Sequence, residues 1–502
     1  MGLVTASCRA VREPPPPYPI RLNGVNPKQE LMSIPQSTEP VSVYGRESGV
    51  TRVSSVQQLS LPGFVAVGKP SGHSPFRNSA FADNKNLPVH RWAPWIAGYS
   101  ASFVDDVIFA YLPQGRQALV LDPFAGVGTT LLQAVLSGHH PVGFEINPYA
   151  ALVARTKLSV PTLNLEELDA TLNAMRGDAT HWRTSLAPVG VTPPPLKSRL
   201  PFFSPNVERQ VLHALAFIRS VPAALVADLL RTAFGAVMVS FSNYSYEPSL
   251  GSRPAAGKPL IEDADVAQVL LAKLYAMRED ITWVQNKMEG RSPSEGRVIN
   301  ADFFSAQAEA LATASVDLMV TSPPYMNNYH YVRNTRPQLY WLDFIASPGE
   351  QKYLEAQNFG QYWQTVRAAD VIPLTFQQRD LETTLQQLRQ TRVDKGAYGG
   401  PGWTNYVTAY FNDCFRFMAA LERVLVRGGT GVIVIGNSII QGMDIRTETI
   451  LGEIGELQGL RLEGVHRIRE KRVGTSITQS SVRQGERSQA MLSEYAVVVR
   501  KP

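Results

Sequence analysis

Apolar residues follow two rhythms along this chain. Over 101–112, Phe103, Val107, Ile108 and Tyr111 repeat at the spacing of one helix face. A short continuous run, Ala118 to Leu121, then meets a turn containing Gly126 and Gly128. The pattern predicts a helix over 129–136, a second strand in "PVGFE" (141–145) and another helix from Pro148. Strand, helix and strand in that order form a β-α-β unit, which builds parallel sheets. From about 160 to 290 the rhythm becomes helical, over 207–218, 224–241 and 265–285, broken by proline-rich stretches such as "VTPPPLKSRLPFFSPN". The strand rhythm resumes in "GRVINADFF" (296–304) and "VDLMVTSPPY" (316–325). After a second irregular stretch, a helix in "YFNDCFRFMAALERVLVRGG" leads to strands in "TGVIVIGNS" (430–438) and "SEYAVVVRKP" (493–502).

The expected architecture is α/β, a mostly parallel sheet with helices on both faces, interrupted by a mainly helical insertion. Six segments follow from the shifts of pattern: an extended, Pro/Ser-rich arm over 1–85, the first α/β part over 86–160, the helical insertion over 161–295, the second α/β part over 296–345, another insertion over 346–409, and the last α/β part over 410–502. A length of 502 residues exceeds one ordinary domain. With 44% hydrophobic and 18% charged residues the chain reads as globular. No run approaches the roughly 18 uninterrupted apolar residues of a membrane span. The net charge of +5 suits a polyanionic partner, and equally a solvated basic surface. The two cysteines, Cys8 and Cys414, lie far apart and outside any Cys/His cluster, so neither a disulfide framework nor a metal site is expected. A reducing compartment is the default, and the N-terminus lacks the apolar core of a signal peptide.

Candidate chemistry gathers at the carboxyl ends of the predicted strands, where open α/β sheets bind ligands. "DPFAGVGTT" (122–130) joins strand to helix through glycines that let a ligand approach the backbone and the helix N-terminus. No Lys follows, so it is not a P-loop, and taken alone it is equally a tight turn. Glu145 ends the second strand, where a carboxylate can accept from both ribose hydroxyls of a nucleoside. Asp302 ends the third and can accept from an adenine amine, though by itself it also reads as a helix N-cap. At the fourth, Pro323 and Pro324 stop the strand and stiffen it. That leaves the Ser322 hydroxyl and the Pro323 carbonyl as fixed acceptors and Tyr325 as a flat ring. An exocyclic amine on a planar base satisfies all three.

With "DPFAGVGTT" and "TSPPY" in this order, the chain resembles the S-adenosylmethionine-dependent amino-methyltransferases of DNA, which modify cytosine N4 or adenine N6. The resemblance covers about 86–158, 296–345 and 410–500. It implies a Rossmann-like sheet and S-adenosylmethionine as cofactor, held by Asp122, Pro123, Phe124, Gly126, Gly128, Thr129, Thr130, Glu145 and Asp302. It implies that Ser322, Pro323, Pro324 and Tyr325 hold a base flipped out of double-stranded DNA. Ser-Pro-Pro-Tyr is typical of the cytosine-N4 enzymes, whereas Asp or Asn in first position leans to adenine N6. The helical insertion falls between the second and third strands, not where a target-recognition domain is usually added. Arg333 and Arg336 beside the pocket, and Arg253 and Lys258 in the loop "SNYSYEPSLGSRPAAGKP", are the candidate DNA contacts. Tyr340, Trp341 and Phe344 read as core. The resemblance further suggests a cytoplasmic, nucleoid-associated protein, with a cognate restriction nuclease as a partner to look for. An RNA methyltransferase and an inactive DNA-binding subunit are the readings from other classes.

Overall fold

A computed structural model describes residues 75–502 apart from 78, 96–97, 188, 247–249, 292–293, 328 and 472–491. The arm over 1–74 lies outside the described residues. Order is already present before the expected boundary at 86: Phe76 is buried edge-to-face on Phe103, and Asn84 is buried with its side chain bonded to the Tyr99 carbonyl and the Ala101 amide.

Helix α1 (Ala101–Tyr111) opens the α/β part, capped by the Ser100 hydroxyl. There follow β1 (Leu119–Asp122), α2 (Thr129–Leu136), β2 (His140–Phe144) and α3 (Pro148–Leu158). The insertion contributes α4 (Leu165–Thr184), α5 (Pro205–Ser220), α6 (Ala224–Val237), a hairpin of β3 (Tyr244–Tyr246) and β4 (Leu250–Ser252), and α7 (Val266–Met288). The sheet continues with β5 (Arg297–Ile299), α8 (Phe303–Ala310) and β6 (Val316–Thr321). Beyond "TSPPY" lie α9 (Tyr331–Asn334), α10 (Arg336–Trp341), α11 (Pro348–Ala356), α12 (Trp363–Val366), α13 (Arg379–Arg389) and α14 (Gly400–Val424). The chain closes with β7 (Leu425–Gly436), the hairpin of β8 (Ser438–Ile440) and β9 (Met443–Ile445), α15 (Thr447–Leu457), β10 (Arg461–Lys471) and β11 (Leu492–Arg500).

Seven strands form the main sheet in the order β10-β11-β7-β6-β1-β2-β5. The pairs from β7 to β5 are parallel, and β11 is antiparallel to both β7 and β10. Strand alternation sends Val120, Leu318, Val320, Val432, Val434, Ala496 and Val498 to one face, against α1. Leu121, Met319, Ile433, Ile435, Val497 and Val499 go to the other, against α14 and α15. A sheet covered on both faces needs near-continuous apolar strands, which is how β6 and β7 read.

Two boundaries differ from the sequence reading. α14 starts at Gly400, ten residues before the predicted helix, because Pro401 in the first turn lacks only a hydrogen that would have no intrahelical partner anyway. The helix then ends at Val424, and "LVRGG" belongs to β7. β10 carries the "HRIREK" charges on an edge strand, a place where charge discourages pairing with another chain. The insertion is helical as expected, and its core is continuous with the α/β part: Leu168, Leu230 and Leu270 cluster with Leu132, Val135, Tyr149 and Val153 from α2 and α3. Tyr340 and Trp341 are buried in the same cluster, with Phe344 packed against it.

Candidate cofactor and catalytic site

The carboxyl ends of β1, β2, β5 and β6 lie side by side on one rim of the sheet, and each carries a residue singled out in the sequence. Asp122 turns inward and is buried. Its Oδ1 accepts from the Phe124 amide at 3.1 Å and from the Thr321 hydroxyl at 2.5 Å, and its Oδ2 accepts from the Tyr99 hydroxyl at 2.9 Å. Burial pushes this carboxyl up, and those donors pull it back. Thr130 is buried beside it, bonded to Tyr99 and donating to the Val320 carbonyl at 3.2 Å. Asp122 and Thr130 thus pin the glycine turn to the end of β6.

Left-handed backbone explains two of the glycines. Gly126 has φ +50° and Gly128 has φ +80°. A Cβ at Gly126 would come within 3.0 Å of the Trp95 indole nitrogen, and one at Gly128 within 3.0 Å of the Ala154 Cβ on α3. Thr129 is buried as the first residue of α2.

A cleft with about 700 Å³ of empty space, partly open to solvent, lies along this rim. Pro123, Phe124 and Gly126 line it from the turn, and Glu145 and Asp302 line it from the neighbouring strand ends. Glu145 accepts from the Gly126 amide at 2.8 Å and the Asn147 amide at 2.7 Å, so its carboxylate is fixed in place. Burial pushes its carboxyl up to about 7, against the pull of those two amides. Asp302 caps α8, accepting from Phe304 and Ser305 at 3.3 and 3.1 Å, while it also borders the cleft. Phe144 and Phe303, edge-to-face at 5.1 Å, supply apolar wall between the two carboxylates.

At its other end the cleft reaches Ser322 and Pro324. Pro323 is buried, and among the described residues its carbonyl accepts no hydrogen bond. The Pro324 carbonyl accepts from the Tyr410 hydroxyl at 3.0 Å. Tyr325 stands behind Ser322, its hydroxyl donating to Glu494 at 3.1 Å, and burial pushes its phenol well up.

Trp95 lines the cleft from the segment before α1, the stretch that by the family resemblance helps hold the methionine end of the cofactor. Gln357, Asn358 and Phe359 lie in the second insertion and carried no signal in the sequence, yet they line the cleft too. The Phe359 ring packs on Phe124 at 5.1 Å and Phe304 at 6.0 Å. Asn147 was legible as the cap of α3, since Asn precedes Pro148 there, and it too lines the cleft.

The DNA-contact candidates sit apart from the cleft floor. Arg333 is exposed on α9, and Arg336 donates to the Lys197 carbonyl at 2.6 Å. Arg253 donates to the Pro259 carbonyl at 2.8 Å, in the turn that also holds Lys258. The β3–β4 hairpin before that turn is fastened to the end of α9: the Tyr246 hydroxyl donates to the Asn334 carbonyl at 2.9 Å, and the Leu250 amide to its Oδ1 at 3.4 Å. Fold and contact thereby bring the two candidate stretches together.

No family model matches the chain. Among characterised proteins, it is similar to the Type II methyltransferase M.BsoBI of Geobacillus stearothermophilus, 22% identical over 459 residues that span 84% of this chain and 87% of that protein. The Type II methyltransferase M.AvaI of a Nostoc species is also 22% identical, over 84% of this chain and 88% of its own length. Both of these relatives are Type II methyltransferases, and the similarity runs over most of this chain. Among solved structures, the rRNA methyltransferase aviRa from Streptomyces viridochromogenes aligns over 81% of this chain and 87% of its own, with 11% identity and a TM-score of 0.29, a likeness too slight to assign anything. The cofactor that the resemblance of its motifs implies is S-adenosylmethionine. The cleft suits it: a nucleoside needs carboxylate acceptors beside apolar walls, and Glu145, Asp302, Phe144 and Phe303 provide both. No helix among the described residues is long and apolar enough to cross a membrane.

Proposed function

We propose that this methyltransferase modifies the exocyclic N4 amine of a cytosine flipped out of double-stranded DNA. The observation that carries the reading is the shared rim: Ser322 opens onto the same cleft as Glu145 and Asp302. When bound, the cofactor supplies an electrophilic methyl group. Glu145, already oriented by two amides, accepts from the ribose hydroxyls, and Asp302 faces the adenine amine. Gly126 and Gly128 give backbone access, and Pro123 and Phe124 complete that wall. The Ser322 hydroxyl and the Pro323 carbonyl accept the two N–H bonds of the target amine and so aim its lone pair into the cleft. Pro324 keeps the turn rigid, and the Tyr325 ring faces the base. Most of the acceleration is then positioning, with acceptors placed where positive charge develops on nitrogen.

The choice of cytosine rests on Ser322, the residue that opens Pro-Pro-Tyr in the N4 enzymes this chain resembles. Arg333, Arg336, Arg253 and Lys258 are assigned to the DNA backbone, the last two carried toward the cleft by the hairpin on Asn334. The test is plasmid DNA from cells making the protein, digested to nucleosides and weighed by mass spectrometry against a Ser322→Ala control. N4-methylcytosine that disappears in the control supports the reading. N6-methyladenine would keep the mechanism and replace the base. Unmodified DNA from a protein that still binds the cofactor would turn the search to RNA.

A further inference from the structure

We propose that Gln357 reads the Watson–Crick edge of the flipped cytosine, its carboxamide donating to the ring nitrogen N3 and the O2 carbonyl; this rests on the methyl-transfer reading above. The need comes from the base itself. In the duplex N3 and O2 accept from a guanine, and flipping takes that partner away. In the reading above Ser322 and the Pro323 carbonyl accept from the amine, which leaves N3 and O2 without donors. An acceptor left unpaired in a cleft weakens binding, so a donor must come from the protein.

Few polar side chains of the cleft can give it. Glu145 and Asp302 are carboxylates, each already facing two backbone amides. The Asn147 carboxamide donates to the Thr335 hydroxyl at 2.7 Å and accepts from two amides of α3. That of Asn358 donates to the Phe359 carbonyl at 2.8 Å. The Trp95 indole nitrogen lies beside Gly126, in the cofactor half. The Tyr331 phenol carries one hydrogen, whereas N3 and O2 together call for two. Gln357 is half-buried on the cleft, and among the described residues its carboxamide makes no hydrogen bond. It bears two N–H donors on one nitrogen.

Three contacts hold the stretch around Gln357 against the base end of the cleft. α11, which Gln357 caps, packs on α9, whose Tyr331 and Val332 line the cleft. The His330 ring stacks on Tyr362 at 4.2 Å, so the chain after Gln357 runs beside the chain after Tyr325. Tyr410 joins both stretches, packing on Phe359 at 5.5 Å and donating to the Pro324 carbonyl at 3.0 Å. The backbone here is fixed on either side: the Gln357 amide donates to the Leu354 carbonyl at 3.2 Å, and the Gly360 amide to Asp413 at 2.9 Å. A fixed backbone with an uncommitted side chain is a donor in place before the base arrives. The contact also chooses the base. Beside its amine adenine offers one acceptor, N1, and then a C–H where cytosine has O2, so one of the two donors would face a carbon.

Sequencing of the methylated plasmid locates the modified cytosine. A duplex carrying that site is then made with cytosine or with 3-deazacytosine, which has a C–H in place of N3. Single-turnover methylation, and cofactor affinity by calorimetry, would be measured for the wild type, Gln357→Leu and Gln357→Glu. Gln357→Leu should methylate cytosine about tenfold to a hundredfold more slowly at unchanged cofactor affinity. Gln357→Glu, which sets a carboxylate against two acceptors, should be slower still. The analogue should slow the wild type and slow Gln357→Leu far less, because in that variant the contact is already gone. A wild-type rate in either variant overturns the proposal, as does equal slowing of the wild type and Gln357→Leu by the analogue. So does a rate loss matched by a loss of cofactor affinity, which would put Gln357 on the cofactor instead. N6-methyladenine in the plasmid, or no methylated DNA, overturns the functional reading itself, a result seen before any variant of Gln357 is made.

Discussion

Three carboxylates and one hydroxyl stand at neighbouring strand ends, and their surroundings separate their tasks. Ser322 borders the cleft with no charge of its own, so Ser322→Ala should lower the methylation rate by about a hundredfold or more while cofactor affinity holds. Calorimetry beside a radiolabel transfer assay checks it; equal loss of both would remove Ser322 from its role. Glu145 is held for ligand by two amides, with its carboxyl pushed to about 7. Only the ionised form accepts from both ribose hydroxyls, so cofactor affinity should be full above that pH and weaken as pH falls through it. Glu145→Gln should bind roughly tenfold more weakly and lose the pH dependence. Asp122 faces inward on three donors. Asp122→Ala should destabilise the fold by about 1–3 kcal/mol, read in urea unfolding, because it strands buried hydroxyl and amide donors.

Elements add what single residues cannot. The stretch before α12 reaches back over the cleft because it is clamped from beneath: Gly360, at φ +74°, donates its amide to Asp413 on α14, and a Cβ there would collide with the Tyr410 ring at 2.3 Å. Tyr410 also holds the Pro324 carbonyl, so one helix carries both the Phe359 wall and the Ser322–Tyr325 turn. Phe359→Ala should weaken cofactor binding, measurable by calorimetry with S-adenosylhomocysteine, and leave the secondary structure seen by circular dichroism intact. On the opposite edge, Asp280 of α7 accepts from the Val89 amide at 2.8 Å and the Trp92 indole at 3.0 Å, fastening the insertion to the segment that carries Trp95.

At the scale of the whole molecule the insertion is part of the enzyme's own core. Leu270 on α7 is fully buried in the cluster that includes Leu132 and Val153 of the α/β part. Leu270→Ala should therefore cost about 2–5 kcal/mol and lower the unfolding midpoint of the cofactor half with that of the insertion. Circular dichroism and cofactor binding, followed through the same denaturant series, should report coincident transitions. Two separate transitions would show that the insertion folds independently. DNA affinity should fall with rising salt in proportion to the phosphates neutralised, and each of Arg333→Ala and Lys258→Ala should flatten that slope.

By itself the sequence determined the local grammar: the β-α-β unit, the helices of the insertion, the left-handed turn at Gly126 and Gly128, and the proline stop at Ser322–Tyr325. Each depends on residues within a few positions of one another, where helix and strand periods and glycine and proline sterics decide the outcome. Tertiary structure alone decided that Asp122 would brace the turn from inside and that Phe359 would wall the cleft. It alone set Glu494 behind Tyr325, a partner 169 positions away. Such pairings arise only when strands distant in the chain become neighbours in the sheet, because burial removes water and leaves each polar group to find its partner across that distance.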